Sequence, residues 1–214
     1  MPFVEPPVRF PHLQASLFKP ERWGLAKNDS ILGQVSLALP QPWRHLHQLV
    51  ARTDDQTNRP SASPEALRLV PTTGDGRCLF RAIAKCLAFY GKRPLPENLE
   101  RADADVLREA AFQEICQLRR QEFQKKHVIE GDIRAYCAQL RSPEFYAGEP
   151  EMYALADVLE RPIEVYLVHP QNRTLLKIVE YGTAYSKKKI GNEPIRVAYN
   201  GTNHYSALLP RANR

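Results

Sequence analysis

Between Leu99 and about Phe123 the apolar positions Leu99, Val106, Leu107, Ala110, Ala111, Ile115 and Leu118 recur at helical spacing, with charges on the opposite side. This pattern predicts one long amphipathic helix. A shorter helix is predicted at DIRAYCAQL, where Ile133, Tyr136, Cys137 and Leu140 share a side. Another is predicted within PEMYALADVLERP, opened by Pro150 and closed before Pro162. Upstream, CLFRAIAKCLAFYG reads as a helix that stops at Gly91. Beyond Pro162 the period changes. IEVYLVH, LLKIVEYG, PIRVAYN and HYSALL are short, rich in β-branched or aromatic residues and separated by turn residues, which predicts strands. A helical half feeding a C-terminal sheet makes the expected class α+β, or mixed α/β.

The pattern fades toward the N-terminus. Ten of the 18 prolines fall in the first 71 residues, where only PWRHLHQLVAR suggests a short helix. Thr53 to Ala66 has the polar, Pro/Ser-rich character of a linker. The expected division is therefore a Pro-rich extension over residues 1–66 and a folded domain over 67–214.

Composition narrows the function classes. With 43% hydrophobic residues in 214, the chain can bury a substantial core. It has no apolar run of the ~18 to 20 residues that a membrane span requires, and no basic start followed by an apolar stretch. The expectation is an intracellular monomer, cytoplasmic unless the N-terminal segment directs it to an organelle. The net charge of +6 is spread among acids on the predicted helices, so it reads as solvated surface rather than as a nucleic-acid footprint. Four cysteines, at 78, 86, 116 and 137, form no C-x-x-C pair. Neither a zinc site nor a disulfide framework is predicted. Cys86, Cys116 and Cys137 lie on apolar helix faces and read as reduced packing residues.

Cys78 is different. In GDGRCLF, Gly74 and Gly76 allow a tight turn, and Asp75 is placed to cap the helix that Cys78 enters. Orphan N–H groups and the positive end of the helix dipole there favour thiolate and can bind an oxyanion. A cysteine nucleophile needs a base brought from elsewhere in the chain. His12, His45 and His47 lie in the Pro-rich leader, His127 on a charged helix end, and His169 beside Pro170. His204, which follows YNGTN and opens the last strand, is the best placed.

The motifs GDGRCLFRAIA and GTNHYSALL together resemble the ovarian-tumour (OTU) family of cysteine proteases, which act mainly as deubiquitinases on a papain-like scaffold. The stretch EGDIRAYCAQLRSPEFYAGEPEMYALADVLERPIEVYLV is similar to the middle of that family, and GEPE, IVEYG and EPIRVAYNG look most like its plant-type members. The resemblance runs from about Val70 to Leu209. It implies Cys78 as nucleophile, His204 as base and then acid, and a loop of Asp75, Gly76 and Arg77 forming the oxyanion hole. It also implies ubiquitin, ubiquitin chains or ubiquitinated proteins as partners, with no metal or cofactor. Related sequences often carry Asp or Asn two residues after the histidine, where this chain has Ser206. The expectation is that Ser206 orients the ring from the same side of the strand, or that Asn203 or Asp75 does so. Glu149 and Glu151 are expected to meet the arginine-containing ubiquitin tail. The departure at Ser206 also motivates an alternative, a ubiquitin-binding module of the same fold with weak or lost catalysis.

Overall fold

In the computed structural model, which describes residues 67–169, 171–186 and 193–211, the cysteine-led segment forms the central helix. The leader with its suggested helix and the linker lie outside the described residues. Helix α1, Cys78–Tyr90, is apolar nearly all round, and Leu79, Phe80, Ala82, Ile83, Ala84 and Cys86 are fully buried. Such a helix needs cover on every face. The sheet supplies one side of that cover and helix α2, Glu97–Phe112, another. Two cations on α1 are neutralised by one carboxylate of α2: Glu100 lies 3.1 Å from Arg81 and 2.7 Å from Lys85.

The sheet has five strands in the order β1-β5-β4-β2-β3, comprising β1 Leu67–Val70, β2 Ile163–Val168, β3 Leu175–Tyr181, β4 Ile195–Tyr199 and β5 Tyr205–Pro210. Only β2 and β4 run parallel. The sequence-predicted strands all appear, and the LRLV fragment joins them as an edge strand. β1 pairs antiparallel with β5, Leu67 opposite Pro210 and Val70 opposite Ala207. The end of β1 therefore meets the start of β5. The chain leaving β1 toward Cys78 emerges beside the chain entering β5 through His204.

Three departures from the sequence reading have physical causes. The long helix is broken: α2 passes into a π turn over Gln113–Leu118, and a separate helix α3, Arg120–Lys125, follows. A π turn shifts the helical phase, so Leu118, expected on the buried face, is 55% exposed. Second, Cys116 and Cys137 are joined in a disulfide between the π turn and helix α4, Ile133–Leu140. The reading of both as free thiols is thereby corrected, because packing of these two helical faces brings the Cα atoms to 5.8 Å. Cys86 remains a free, buried thiol, and burial pushes it up to about 12. Third, Glu151, in helix α5, Glu149–Leu159, is fully buried.

The disulfide closes a loop across a separation of 21 residues. Reduction is expected to cost about 3 kcal/mol through loop entropy. Melting of the protein with and without reductant should differ by on the order of 10 °C. Cys137→Ser should melt low and show no further response to reductant. Equal melting temperatures for oxidised and reduced protein would contradict the cross-link.

Candidate active site

Gly76 sets the geometry of the loop that leads into Cys78. Its φ is +69°, and a Cβ there would stand 2.4 Å from the Pro143 carbonyl oxygen. Gly74 has no such constraint, so one of the two glycines carries the turn. The Gly76 carbonyl accepts a 2.9 Å bond from Arg108 Nη2, and Arg108 Nη1 donates to the carbonyls of Leu140 and Phe145 at 3.1 Å. Arg108, only 4% exposed, thus ties the loop to the 140–145 segment.

Because the chain turns at Gly76, Asp75 does not cap α1. Arg77 occupies the cap position without a side-chain cap bond, and Cys78 is the first helical residue. Asp75 Oδ1 instead accepts the Arg77 N–H at 3.2 Å, and its Oδ2 accepts from Arg81 Nη2 at 2.7 Å. Partial burial acts to raise the Asp75 pKa, but the Arg81 hydrogen bond and charge hold it below the ordinary value. Asp75 therefore fixes the loop from within. The Arg77 N–H is thus spent on Asp75, while the N–H groups of the first turn of α1 have no intrahelical acceptor.

The facing loop is held by Asn200. Its Oδ1 accepts the N–H groups of Thr202, Asn203 and His204 at 2.9, 3.0 and 3.0 Å, and Gly201 adopts a φ of +85°. Tyr199 braces the same turn by donating to the Thr202 carbonyl at 2.6 Å. The result brings His204 beside the loop of Gly74 to Cys78. Cys78 Sγ donates to the Asn203 carbonyl at 4.0 Å, and the position of a Cβ on Gly74 would be 3.9 Å from His204 Nδ1. His127 and His169 take no part; His169 Nδ1 accepts the N–H groups of Gln171 and Asn172 in the turn after β2.

Burial pushes the Cys78 thiol up, and the Asp75 charge adds to this, while the N–H groups of Tyr205, Leu79 and Cys78 itself pull it down. The expectation of a resting thiolate at the helix start is thereby corrected. With Cys78 3% exposed, desolvation outweighs the N–H groups that favour the charged form. The thiol keeps its proton until a base takes it.

A buried cysteine at a helix start, facing a histidine loop from the adjacent strand, is the arrangement of a thiol protease. A family model described as OTU-like cysteine protease matches residues 73–205, the segment that contains both. The chain belongs to the OTU-like cysteine protease family. It is 42% identical over 143 residues to OVARIAN TUMOR DOMAIN-containing deubiquitinating enzyme 4 of Arabidopsis thaliana, an alignment covering 66% of this chain and 43% of that protein. It is 32% identical over 176 residues to enzyme 3 of the same series and plant, covering 74% and 75%. The chain thus spans less than half the length of the first relative. The fold is also that of the viral OTU domain protease from Taggert virus, with a TM-score of 0.53 at 18% identity, covering 70% of this chain and 83% of that one.

Within this OTU domain, several expected site residues are relocated. Ser206 does not orient the ring. The β4–β5 pairing continues to His204, whose carbonyl accepts the Asn200 N–H at 3.0 Å, but among the described residues no hydrogen bond joins Ser206 to the ring. Ser206 sits within β5 opposite Ala198 and is buried. Asn203 offers its carbonyl to Cys78 and its N–H to Asn200, and Asp75 is engaged by Arg77 and Arg81. Among the described residues, the ring's hydrogen bond runs to Thr72, whose Oγ1 is 3.3 Å from His204 Nε2. Glu151 is removed from any ligand surface: its Oε2 accepts the Gly148 N–H at 2.7 Å and its Oε1 accepts the Tyr136 hydroxyl. Glu149 stays half-buried, its carboxyl pushed up by burial against a Tyr181 hydrogen bond.

Thr72, Asn200 and Arg108 were missed from the sequence. Asn200 alone had a local signal, since Asn before Gly in a turn commonly accepts N–H groups from the residues that follow.

Proposed function

We propose that this domain is a thiol-dependent deubiquitinase that hydrolyses the isopeptide bond between the ubiquitin C-terminus and a substrate lysine. The observation that carries the reading is the meeting of Cys78 with the His204 loop, the sulfur 4.0 Å from the Asn203 carbonyl. Relatives named as deubiquitinating enzymes supply the substrate class.

Cys78 is the nucleophile. His204 takes the thiol proton as the sulfur adds to the glycine carbonyl carbon, and the negative charge on oxygen is received by N–H groups at the start of α1. Collapse breaks the C–N bond, and the lysine amine leaves with the proton from His204. Water then attacks the thioester, His204 accepting its proton, to release ubiquitin with a free carboxylate and restore the thiol. Asp75 and Arg108 keep the loop in place throughout.

Incubation with isopeptide-linked ubiquitin chains and with a fluorogenic ubiquitin C-terminal amide tests this. The expected result is release of free ubiquitin by the wild-type chain and none by Cys78→Ala. Ubiquitin binding without cleavage by the wild-type chain would refute it and favour a binding module of the same fold.

A further inference from the structure

We propose that Thr72 is the positioning residue for His204, fixing the tautomer that leaves Nδ1 free as the base. The inference rests on the reading of Cys78 and His204 as nucleophile and base.

The hydrogen-bond arithmetic around Thr72 decides the tautomer. Its hydroxyl lies 2.5 Å from the carbonyl oxygen of Tyr205 and 3.3 Å from His204 Nε2. A carbonyl can only accept, and a hydroxyl has one proton, so the Thr72 proton is committed to Tyr205. Toward the imidazole the same oxygen can only accept. Nε2 therefore carries the hydrogen, and in the neutral ring Nδ1 carries the lone pair. Nδ1 is the nitrogen on the Gly74 side of the ring, toward the loop that presents Cys78.

The sheet explains why a threonine does this. Extending the β1–β5 register from Leu67 opposite Pro210 and Val70 opposite Ala207 places Thr72 across from Tyr205. Pro71 has no N–H to continue the ladder, and β1 ends at Val70. The Thr72 hydroxyl then supplies the Tyr205 carbonyl with a side-chain donor. Holding that carbonyl and the neighbouring imidazole through one oxygen couples the ring to the sheet. When His204 takes a proton from Cys78, Thr72 still accepts from Nε2 without rearranging. It supplies orientation but no negative charge, in contrast to a carboxylate at the Ser206 position.

The test uses Thr72→Val, which keeps the shape and removes the hydroxyl, and Thr72→Ser, which keeps the hydroxyl. Nitrogen-15 NMR of the His204 ring in wild type is expected to show the Nε2–H tautomer, and Thr72→Val should lose that preference. Thr72→Val should lower the rate of Cys78 alkylation by iodoacetamide at neutral pH, and lower kcat on ubiquitin amide by about ten- to a hundred-fold with KM within about two-fold. Thr72→Ser should recover most of both. An Nδ1–H tautomer in wild type, wild-type alkylation in Thr72→Val, or equal impairment of the Val and Ser variants would overturn the assignment. The NMR and alkylation measurements need no ubiquitin. If wild type shows the tautomer and the Thr72 dependence but cleaves no ubiquitin, the substrate assignment fails and the positioning role stands.

Discussion

His204→Ala is expected to reduce kcat/KM on ubiquitin conjugates by on the order of 10²- to 10⁴-fold, the usual worth of a positioned general base. The Cys78 thiol lies above its ordinary value of 9.0, raised by burial and by Asp75, so at neutral pH the sulfur holds its proton. Without His204, only the small population of free thiolate can attack. The residual rate should therefore climb about tenfold per pH unit through neutrality and continue upward past pH 9.0. Wild type should show no such unbroken climb. Added imidazole should restore part of the variant's rate. A variant with wild-type activity, or a residual rate flat with pH, would show that Cys78 is ionised by something other than this histidine.

Gly76→Ala is the second large effect, and it acts through the backbone. At φ +69° an L side chain costs about 1–2 kcal/mol before any contact is counted. The new Cβ would also stand 2.4 Å from the Pro143 oxygen and 3.0 Å from Glu144 Cα, atoms that move only with their segment. That segment is bound through Arg108 to the Gly76 carbonyl itself, so strain at one point displaces both. The expected outcome is a loss of more than about 2 kcal/mol of stability together with a large drop in kcat, because the N–H groups at the start of α1 leave their positions. Gly74→Ala is the control: its nearest new contact, His204 Nδ1, is at an ordinary 3.9 Å, so its melting temperature should match wild type. Melting curves and hydrolysis rates for the two variants decide the matter. Equal behaviour would mean that the loop is not held as described.

Much of the fold was legible because it is written in local patterns. The apolar run from Cys78 to Gly91, the Pro150 helix start and the four C-terminal strands each carry their own period or punctuation. The segments of Cys78 and His204 that the structure brings together were legible for a related reason, since the glycine turn and the NGTN turn are local devices beside reactive side chains. What escaped depends on pairing between distant segments. Thr72 acquires its meaning only when β1 lies against β5, which no local pattern around LRLVPTT encodes. The Cys116–Cys137 bond needs two helical faces to meet. Glu151 was expected to meet the ubiquitin tail, yet Tyr136 and the Gly148 N–H hold it inside, at the start of its own helix. Asp75 looked like a helix cap because its spacing to the helix is nearly right, and one left-handed glycine moved it into the loop. The Ser206 expectation rested on strand alternation alone, whereas among the described residues the ring's hydrogen bond goes to Thr72, which the β1–β5 pairing brings alongside.

The central claim is that Cys78 is the nucleophile of a ubiquitin-directed thiol protease. Treatment with ubiquitin carrying a C-terminal thiol-reactive electrophile, followed by intact-mass analysis and peptide mapping, tests it most directly. One equivalent of ubiquitin is expected on Cys78, with Cys86 unmodified because it is buried and its thiol is pushed up to about 12. Cys78→Ala should form no adduct. An adduct that persists in Cys78→Ala, or a wild-type chain that binds this ubiquitin without bonding to it, would contradict the account.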